Sequence, residues 1–139
     1  MIIVDTNVLS EVMRERPEPR VVSWLDHAPK SEVFTTAVTK AEILYGIAIA
    51  PEGRKRTRLA VAADRVFKGT LAGRVLPFDD EAAEHYAHIA SARRAQGRRM
   101  EQPDAQIAAI ARLHNATLAT RNTGDFEDCG IRVVNPWEA

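Results

Sequence analysis

The sequence has few cysteines and no long apolar run. Cys129 is the only cysteine among 139 residues, which excludes an intrachain disulfide and a zinc site built from thiolates alone. No stretch approaches the roughly 20 consecutive apolar residues that span a bilayer. The N-terminal segment MIIVD reaches an acidic residue too early for a signal peptide. We therefore expect a cytoplasmic protein with no membrane partner.

The sequence also lacks an excess of charge of one sign. Lysine plus arginine and aspartate plus glutamate both number 19, so net charge predicts no general attraction to nucleic acids or acidic lipids. Apolar residues make up 45% and charged residues 27% of the chain, a balance typical of a folded protein. A chain of this length predicts one domain over residues 1–139.

Short apolar runs alternate with helical patterns along the chain. Ile2–Val4 is apolar at consecutive positions, as in a strand that is covered on both faces of a parallel sheet. Further strands are predicted at Val33–Thr35, at Val75–Phe78, at Thr117–Thr120 and around Val133 and Val134. This alternation predicts an α/β fold, specifically a three-layer α/β/α sandwich with a short central parallel sheet.

Four acidic residues fall near strand ends or helix starts. Asp5 follows the first predicted strand, and Asp125 follows the fourth through TRNTGD. Glu42 lies early in the helix after the second strand, and Asp104 lies in the first turn of the helix before the fourth. Sites in parallel sheets gather beyond the carboxyl ends of the strands, so we expect these side chains to converge there.

Each of these residues taken alone also fits a local structural role. Asp5 is suited to cap the first helix, and Thr39 with Glu42 matches the T-x-x-E capping box. Asp104 would favour the positive end of its helix, and Asp125 would stabilise a turn. For any single residue the local role is the commoner one, and only their joint placement favours a functional site.

Convergence of four carboxylates would require a counter-charge. Two unit charges about 4 Å apart repel by about 4 kcal/mol at an effective dielectric constant near 20. The carboxylates would take up protons or bind a hard divalent cation, Mg²⁺ or Mn²⁺, through oxygen. Such a site suits hydrolysis of a phosphodiester. Neighbouring polar residues would orient the carboxylates or the waters of the metal, or would serve only turns and caps: Thr6, Asn7, Thr120 and Asn122.

Four segments together resemble one known family. They are VDTNVLSEV, TKAEILYGI, PDAQIAAIARLHNATLATRNTGDF and the closing NPW. In order and spacing they are similar to PIN-domain ribonucleases, and most similar to VapC toxins of the FitB-like kind. The resemblance covers essentially the whole chain. It places the acidic residues of the family on Asp5, Glu42, Asp104 and Asp125.

The resemblance implies a Mg²⁺- or Mn²⁺-dependent endoribonuclease, the toxin of a toxin–antitoxin pair that arrests translation by cutting RNA. The sequence leaves the target open among transfer, ribosomal and messenger RNA. Asp5, Glu42 and Asp104 would hold the principal metal ion, and Asp125 would complete the pocket or serve a second ion. Asn122 stands near the place where many relatives carry an acid, so Asp125 and Asn122 remain alternatives for the fourth role. The implied partners are a DNA-binding antitoxin and a second copy of the chain, in a homodimer or a larger toxin–antitoxin assembly.

A cluster of arginines immediately precedes Asp104 in the sequence. It consists of Arg93, Arg94, Arg98 and Arg99. Its positive charge would attract an RNA backbone that the carboxylates otherwise repel. The alternative is a solvated helix end at which arginines complement the helix dipole.

Two other kinds of protein fit part of the pattern. A receiver-like signalling domain is also a small α/β fold with an acidic magnesium pocket, but it would have paired acids after its first strand. Here Asp5 is followed by Thr6 and Asn7. A non-catalytic interaction domain, whose acids serve only as caps, is also consistent with the sequence.

Overall fold

Five short strands form one parallel sheet in the computed structural model, which describes residues 1–139. They are β1 (Ile2–Val4), β2 (Val33–Thr36), β3 (Val75–Leu76), β4 (Thr117–Ala119) and β5 (Arg132–Val134). Every neighbouring pair is parallel, and the order across the sheet is β3-β2-β1-β4-β5. The predicted strands are confirmed, although β3 ends before Pro77, because proline lacks the N–H that a sheet ladder needs.

Six α-helices connect the strands. They are α1 (Thr6–Val12), α2 (Pro19–His27), α3 (Ala37–Ile49), α4 (Arg54–Arg65), α5 (Asp80–Ala95) and α6 (Gln102–Leu113). Short 3₁₀ turns at Lys30–Glu32 and Thr123–Phe126 and a π-helical turn at Val66–Thr70 lie between them. None of the helices combines the length and the apolar character that a membrane span requires.

The helices cover both faces of the sheet. Ile3 and Leu118 are buried in a core shared with α5 and α6. Val4 and Ala119, the next residues on the same two strands, are buried in a second core shared with α1, α2 and α4. This alternation follows from the two-residue side-chain period of a strand. The architecture is the predicted three-layer α/β/α sandwich.

Helix α3 begins earlier than the predicted capping box requires. Thr36 is its N-cap, and the Thr36 hydroxyl accepts a hydrogen bond from the Thr39 N–H (3.1 Å). The prediction that Thr39 and Glu42 form the capping box is therefore wrong, because Thr39 already lies inside the helix. Residues three apart share one face of a helix, so Thr39 and Glu42 lie on the same side of α3.

The strand order reverses direction at β1. The chain passes from β1 to β2 and β3 on one side, and then returns through α5 and α6 to β4 on the other side of β1. Ligands of open α/β sheets bind in the crevice beyond the carboxyl ends of strands at such a reversal. In this protein that crevice lies between the ends of β1 and β4, where Asp5 and Thr120 follow the last paired residues, Val4 and Ala119.

Candidate active site

Asp5 directly follows β1, and hydrogen bonds hold both of its carboxylate oxygens. The Asp5 N–H donates to the Ala119 carbonyl (2.9 Å) and so extends the pairing of β1 with β4 by one residue. The Thr6 N–H donates to Oδ1 (2.7 Å), and the Thr120 hydroxyl donates to Oδ2 (2.8 Å). The residue is only 5% exposed. Asp5 thus caps α1, and its carboxylate is also fixed in the crevice between the two strands.

Thr120 and Asn7 link the carboxyl ends of β1 and β4. The buried Thr120 hydroxyl accepts from Asn7 Nδ2 and from the Asn122 N–H, both at 3.2 Å. Since this hydroxyl also donates to Asp5, its one donor and two acceptor positions are all occupied. Asn7 Oδ1 accepts from the Arg121 N–H (3.2 Å). Asn7 and Thr120 therefore contact Asp5 through their side chains, whereas Asn122 contacts Thr120 only through its backbone N–H. Their role in supporting a metal site stays a prediction.

Glu42 reaches the same region from α3. The Thr6 hydroxyl donates to Glu42 Oε1 (2.9 Å) and is hydrogen-bonded to Thr39 Oγ1 (3.1 Å). Thr6 therefore joins the first residue of α1 to the exposed Glu42 carboxylate. Through its backbone N–H, Thr6 also contacts Asp5, so one residue connects two of the four predicted carboxylates.

Asp104 and Asp125 join the group from two further elements. Asp104 lies in the first turn of α6, and Asp125 lies in the 3₁₀ turn after β4. Burial raises the pKa of Asp104 to about 6, with further contributions from the negative charges of Asp5, Asp125, Glu42 and Glu101. The structure therefore brings all four predicted carboxylates within electrostatic reach of one another.

No cationic side chain of the protein forms a salt bridge with the acidic group. Burial raises the pKa of Asp5, hydrogen bonds from Thr120 and Thr6 lower it, and the charges of Glu42 and Asp125 raise it again. None of the salt bridges in the structure involves any of the four carboxylates. The hydrogen bonds from Thr120 and Thr6 relieve part of the repulsion at Asp5, and protons or an added cation would relieve the rest.

The donor types of the site suit a hard divalent cation. All four candidate ligands offer carboxylate oxygen, which Mg²⁺ and Mn²⁺ prefer, and none offers the imidazole or thiolate that would favour zinc. No group of three or more acidic, histidine or cysteine side chains is arranged at metal-binding distances. The residues thus fit the cation by chemistry and electrostatics, while their side chains are not closed around a single point.

Comparison with known proteins decides the family. A family model described as PIN domain matches residues 2–130. The chain belongs to the PIN-domain family. This PIN domain is 41% identical over 137 residues to Toxin FitB of Neisseria gonorrhoeae, with 99% of each chain covered. It is 38% identical over 138 residues to the VapC ribonuclease Y4jK of Sinorhizobium fredii, again with 99% of each covered.

The fold comparison agrees with the sequence comparison. The PIN domain superposes on a solved structure of FitAB bound to an IR36 DNA fragment with a TM-score of 0.91 and 41% identity, covering 99% of this chain and 96% of that one. The resemblance to FitB-like PIN domains that the sequence motifs predict is confirmed.

The predicted RNA-contacting arginines of the PIN domain are only partly available. Arg93 is 5% exposed, and its guanidinium donates to the carbonyls of Arg98, Asp125 and Glu127 at 2.8–3.1 Å. The prediction that Arg93 contacts RNA is therefore wrong, because its donors hold the turn that carries Asp125. Arg93 follows the buried Ile89 by four residues on α5, a helical spacing that indicates an inward position.

The other members of the arginine cluster remain on the surface. Arg98 forms salt bridges with Glu127 (2.9 Å) and Asp128 (2.7 Å). Arg94 and Arg99 are exposed, and their contact with RNA stays a prediction.

Two residues of the site have roles that the sequence reading missed. Thr39 supports the Thr6 hydroxyl rather than capping a helix, and the spacing of Thr39 and Glu42 is the signal that could have indicated a shared face. Arg121 directly follows Thr120, and its N–H is held by Asn7. The sequence indicates that Arg121 lies at the site only through its position in TRNTGD, among the predicted site residues.

Proposed function

We propose that this PIN-domain protein is a metal-dependent endoribonuclease. The observation that carries the proposal is the group of four carboxylates at the β1–β4 crevice. Burial and the charges of the other three raise the pKa of Asp104 to about 6, and none of the four has a salt-bridge partner. Such a group is costly to the fold unless a cation binds it. The relative named VapC ribonuclease Y4jK supports an RNA substrate.

In this proposal Asp5, Glu42 and Asp104 hold the principal cation, Mg²⁺ or Mn²⁺, and Asp125 is the fourth acidic residue. When bound, the cation would neutralise charge on the phosphoryl oxygens and make water a better nucleophile. We prefer Asp125 to Asn122 for the fourth role, because the charge of Asp125 reaches both Asp5 and Asp104. The Asn122 side chain makes no hydrogen bond, and its backbone N–H holds Thr120.

The polar neighbours limit how the acidic residues can move. Thr120 and the Thr6 N–H hold different oxygens of the Asp5 carboxylate, so its orientation is restrained at both oxygens. The Thr6 hydroxyl holds Glu42. These hydrogen bonds would preserve the relative orientation of two ligands while the phosphodiester binds, as the supporting contacts of a metal site usually do.

We further propose that the protein is the toxin of a toxin–antitoxin pair. The relative named Toxin FitB and the structure of FitAB on DNA support a DNA-binding antitoxin as partner. RNA cleavage, with transfer RNA among the substrate classes, would then arrest translation in the cytoplasm. We take residues 1–139 as one PIN-like domain, since all five strands belong to one sheet.

A homodimer or a larger assembly is part of the same proposal. Leu44, Tyr45 and Ile49 on α3 and Val61 on α4 are 44–67% exposed. Large apolar side chains grouped on one surface are typical of a protein interface, and α3 packs against α4. The mass of the purified protein by light scattering, compared with that of Tyr45→Arg, tests whether two copies meet at this surface.

The two alternatives fit the structure less well. Receiver domains have the strand order 2-1-3-4-5, whereas the order here is 3-2-1-4-5. The hypothesis of a receiver-like domain is therefore wrong. A non-catalytic domain would explain Asp5, which does cap α1. It would not explain why Asp104 and three other carboxylates share a crevice without a salt-bridge partner.

The decisive experiment incubates antitoxin-free protein with total cellular RNA and either Mg²⁺ or Mn²⁺, and then maps new 5′ ends. Discrete cleavage is expected, and both a chelator and Asp104→Asn should abolish it. Asp80→Asn is the matched control, because Asp80 is also a first-turn helix acid but is exposed on α5. If folded protein that binds the metal leaves all RNA intact, the proposal fails and the interaction-domain alternative is favoured.

A further inference from the structure

A basic groove adjoins the acidic crevice beside α1 and α4. Five cationic side chains and two carboxylates line it, so the groove is positive in a protein whose net charge is zero. The cations are Arg14, Arg16, Lys55, Arg58 and Arg121, and the carboxylates are Glu11 and Glu15. Asn7 lines the groove as well, and its amide also contacts Asp5 Oδ2 (3.5 Å) and Thr120 Oγ1 (3.2 Å). Asn7 is therefore shared by the groove and the acidic site, which lie next to each other.

Only some of these cations are free to bind a ligand. Arg14 is paired with the buried Glu11 (3.1 Å), and Arg58 donates to the Met13 carbonyl (3.1 Å). The three others are exposed and make no side-chain hydrogen bond or salt bridge: Arg16, Lys55 and Arg121. Uncommitted cations in a concave surface attract a polyanion at little cost, because no internal partner has to be displaced.

Arg121 is the best positioned of the three. Its guanidinium carbon lies 4.9 Å from the centre of the Trp137 ring, and its N–H is held by Asn7 (3.2 Å). Trp137 is fixed in turn, since its N–H donates to Asn135 Oδ1 (2.9 Å) and its carbonyl accepts from Arg20 Nη1 (3.0 Å). A guanidinium stacked on an aromatic ring keeps the N–H groups at its edge available for a phosphate.

We propose that this groove binds single-stranded RNA, and that Arg121 contacts a backbone phosphate beside the one that enters the acidic crevice. The inference rests on the proposed nuclease function and adds the path of the substrate. Four carboxylates repel a nucleic acid backbone, so a neighbouring positive surface has to supply the attraction. The arginine cluster at and after the end of α5 attracts RNA less than its sequence indicates. Arg93 is buried, and Arg98 is paired with Glu127 and Asp128.

The test measures RNA binding separately from cleavage. Asp104→Asn protein is titrated, at several salt concentrations, into fluorescein-labelled single-stranded RNA of mixed sequence and about ten nucleotides, within the usual range of strand-binding sites. Adding Arg121→Ala should weaken binding about tenfold, the effect of losing one charge-assisted contact. It should also reduce the salt dependence of log K by about 0.7, the value for one phosphate on a single strand. The affinity of Arg121→Lys should lie between those of the parent protein and Arg121→Ala, because lysine keeps the charge but lacks the planar guanidinium.

Arg65→Ala is the matched control. Arg65 is an exposed, unpaired arginine at the end of α4, about 15 Å along the helix from Lys55, so it removes the same charge far from the groove. Affinity for Arg65→Ala should stay within about twofold of the parent protein. If Arg121→Ala binds as Arg65→Ala does, if Arg99→Ala causes the larger loss, or if folded protein shows no saturable binding, the groove inference is wrong.

Parallel cleavage assays with Asp104 intact separate this inference from the proposed function. Cleavage that Arg121→Ala and Arg65→Ala support equally would overturn the groove and leave the nuclease in place. Binding that depends on Arg121, together with an absence of cleavage by the otherwise native protein, would support the groove and refute the nuclease.

Discussion

Replacing Asp104 with asparagine should change the stability of the protein in opposite directions with and without divalent metal. The rise of the Asp104 pKa from 3.8 to about 6 corresponds to about 3 kcal/mol of unfavourable ionisation in the folded state. Asp104 is only partly buried, so water screens a large share of this, and the carboxylate also gains about 0.5 kcal/mol from the α6 dipole. Without metal at about pH 8, Asp104→Asn should therefore be about 1 kcal/mol more stable, or about 3 °C higher in Tm.

The pH dependence gives the sign of the effect. Folded Asp104 keeps its proton up to about pH 6, whereas the unfolded chain releases it near the ordinary pKa of 3.8. Between these values the folded state binds more protons, so the native protein loses stability as pH rises. The asparagine variant lacks this loss, and its advantage should disappear as pH falls below 3.8.

Divalent metal should reverse the order of stability. At a Mg²⁺ or Mn²⁺ concentration about a hundred times Kd, the native protein would gain about 2.7 kcal/mol. The asparagine variant, which lacks an anionic ligand, should gain much less. Urea titrations followed by circular dichroism, with chelator or with metal, measure both differences.

Asp80→Asn provides the control for these titrations. The variant loses the same charge at a helix start, in α5 rather than in α6, and should be about 0.5 kcal/mol less stable with or without metal. A metal-free Asp104→Asn protein that is less stable than native at alkaline pH would refute the argument from repulsion. A native protein that neither metal stabilises would refute the assignment of a metal site.

Two further substitutions test the supports of the site. Thr120→Val keeps the shape of the side chain but removes the hydroxyl that donates to Asp5 (2.8 Å). Its affinity for metal, measured by isothermal titration calorimetry, should therefore fall about 10–100-fold. Unchanged affinity would mean that Asp5 is oriented without Thr120. Arg93→Ala removes the buried guanidinium that holds the turn of Asp125. It should lower the free energy of unfolding in urea by about 3 kcal/mol, against less than about 0.5 kcal/mol for the exposed Arg94→Ala. Equal losses would show that Arg93 does not stabilise this turn.

The strands and the acidic edge could be predicted because they depend on local features of the chain. Consecutive apolar residues such as Ile2–Val4 indicate a strand covered on both faces. In a parallel sheet every strand presents its carboxyl end at the same edge, so Asp5 could be placed at that edge without knowing the strand order. Prediction was weaker at the start of α3, where two threonines are both suited to cap the helix. Thr36 rather than Thr39 is the cap.

The roles of the arginines could not be predicted from their positions in the chain. Arg93 and Arg94 are adjacent in sequence, but one is buried and the other is exposed, because successive residues of a helix point about 100° apart. Arg121 is far in sequence from Lys55 and Arg16, yet the packing of α1, α4 and the turn after β4 places all three in one groove. Proximity of this kind depends on how whole elements pack.

The five strands and the acidic residues at their ends could be recognised from the amino-acid sequence, because apolar runs and the residues that follow them are local properties of the chain. The order of the strands, which places Thr120 beside Asp5, follows from the packing of the whole fold. The tertiary structure also decided which arginines are free, because burial and ion pairing arise between segments that are distant in sequence. The strand order and the pairing of the arginines both depend on how the helices pack against the sheet, and no single segment of the chain specifies that packing.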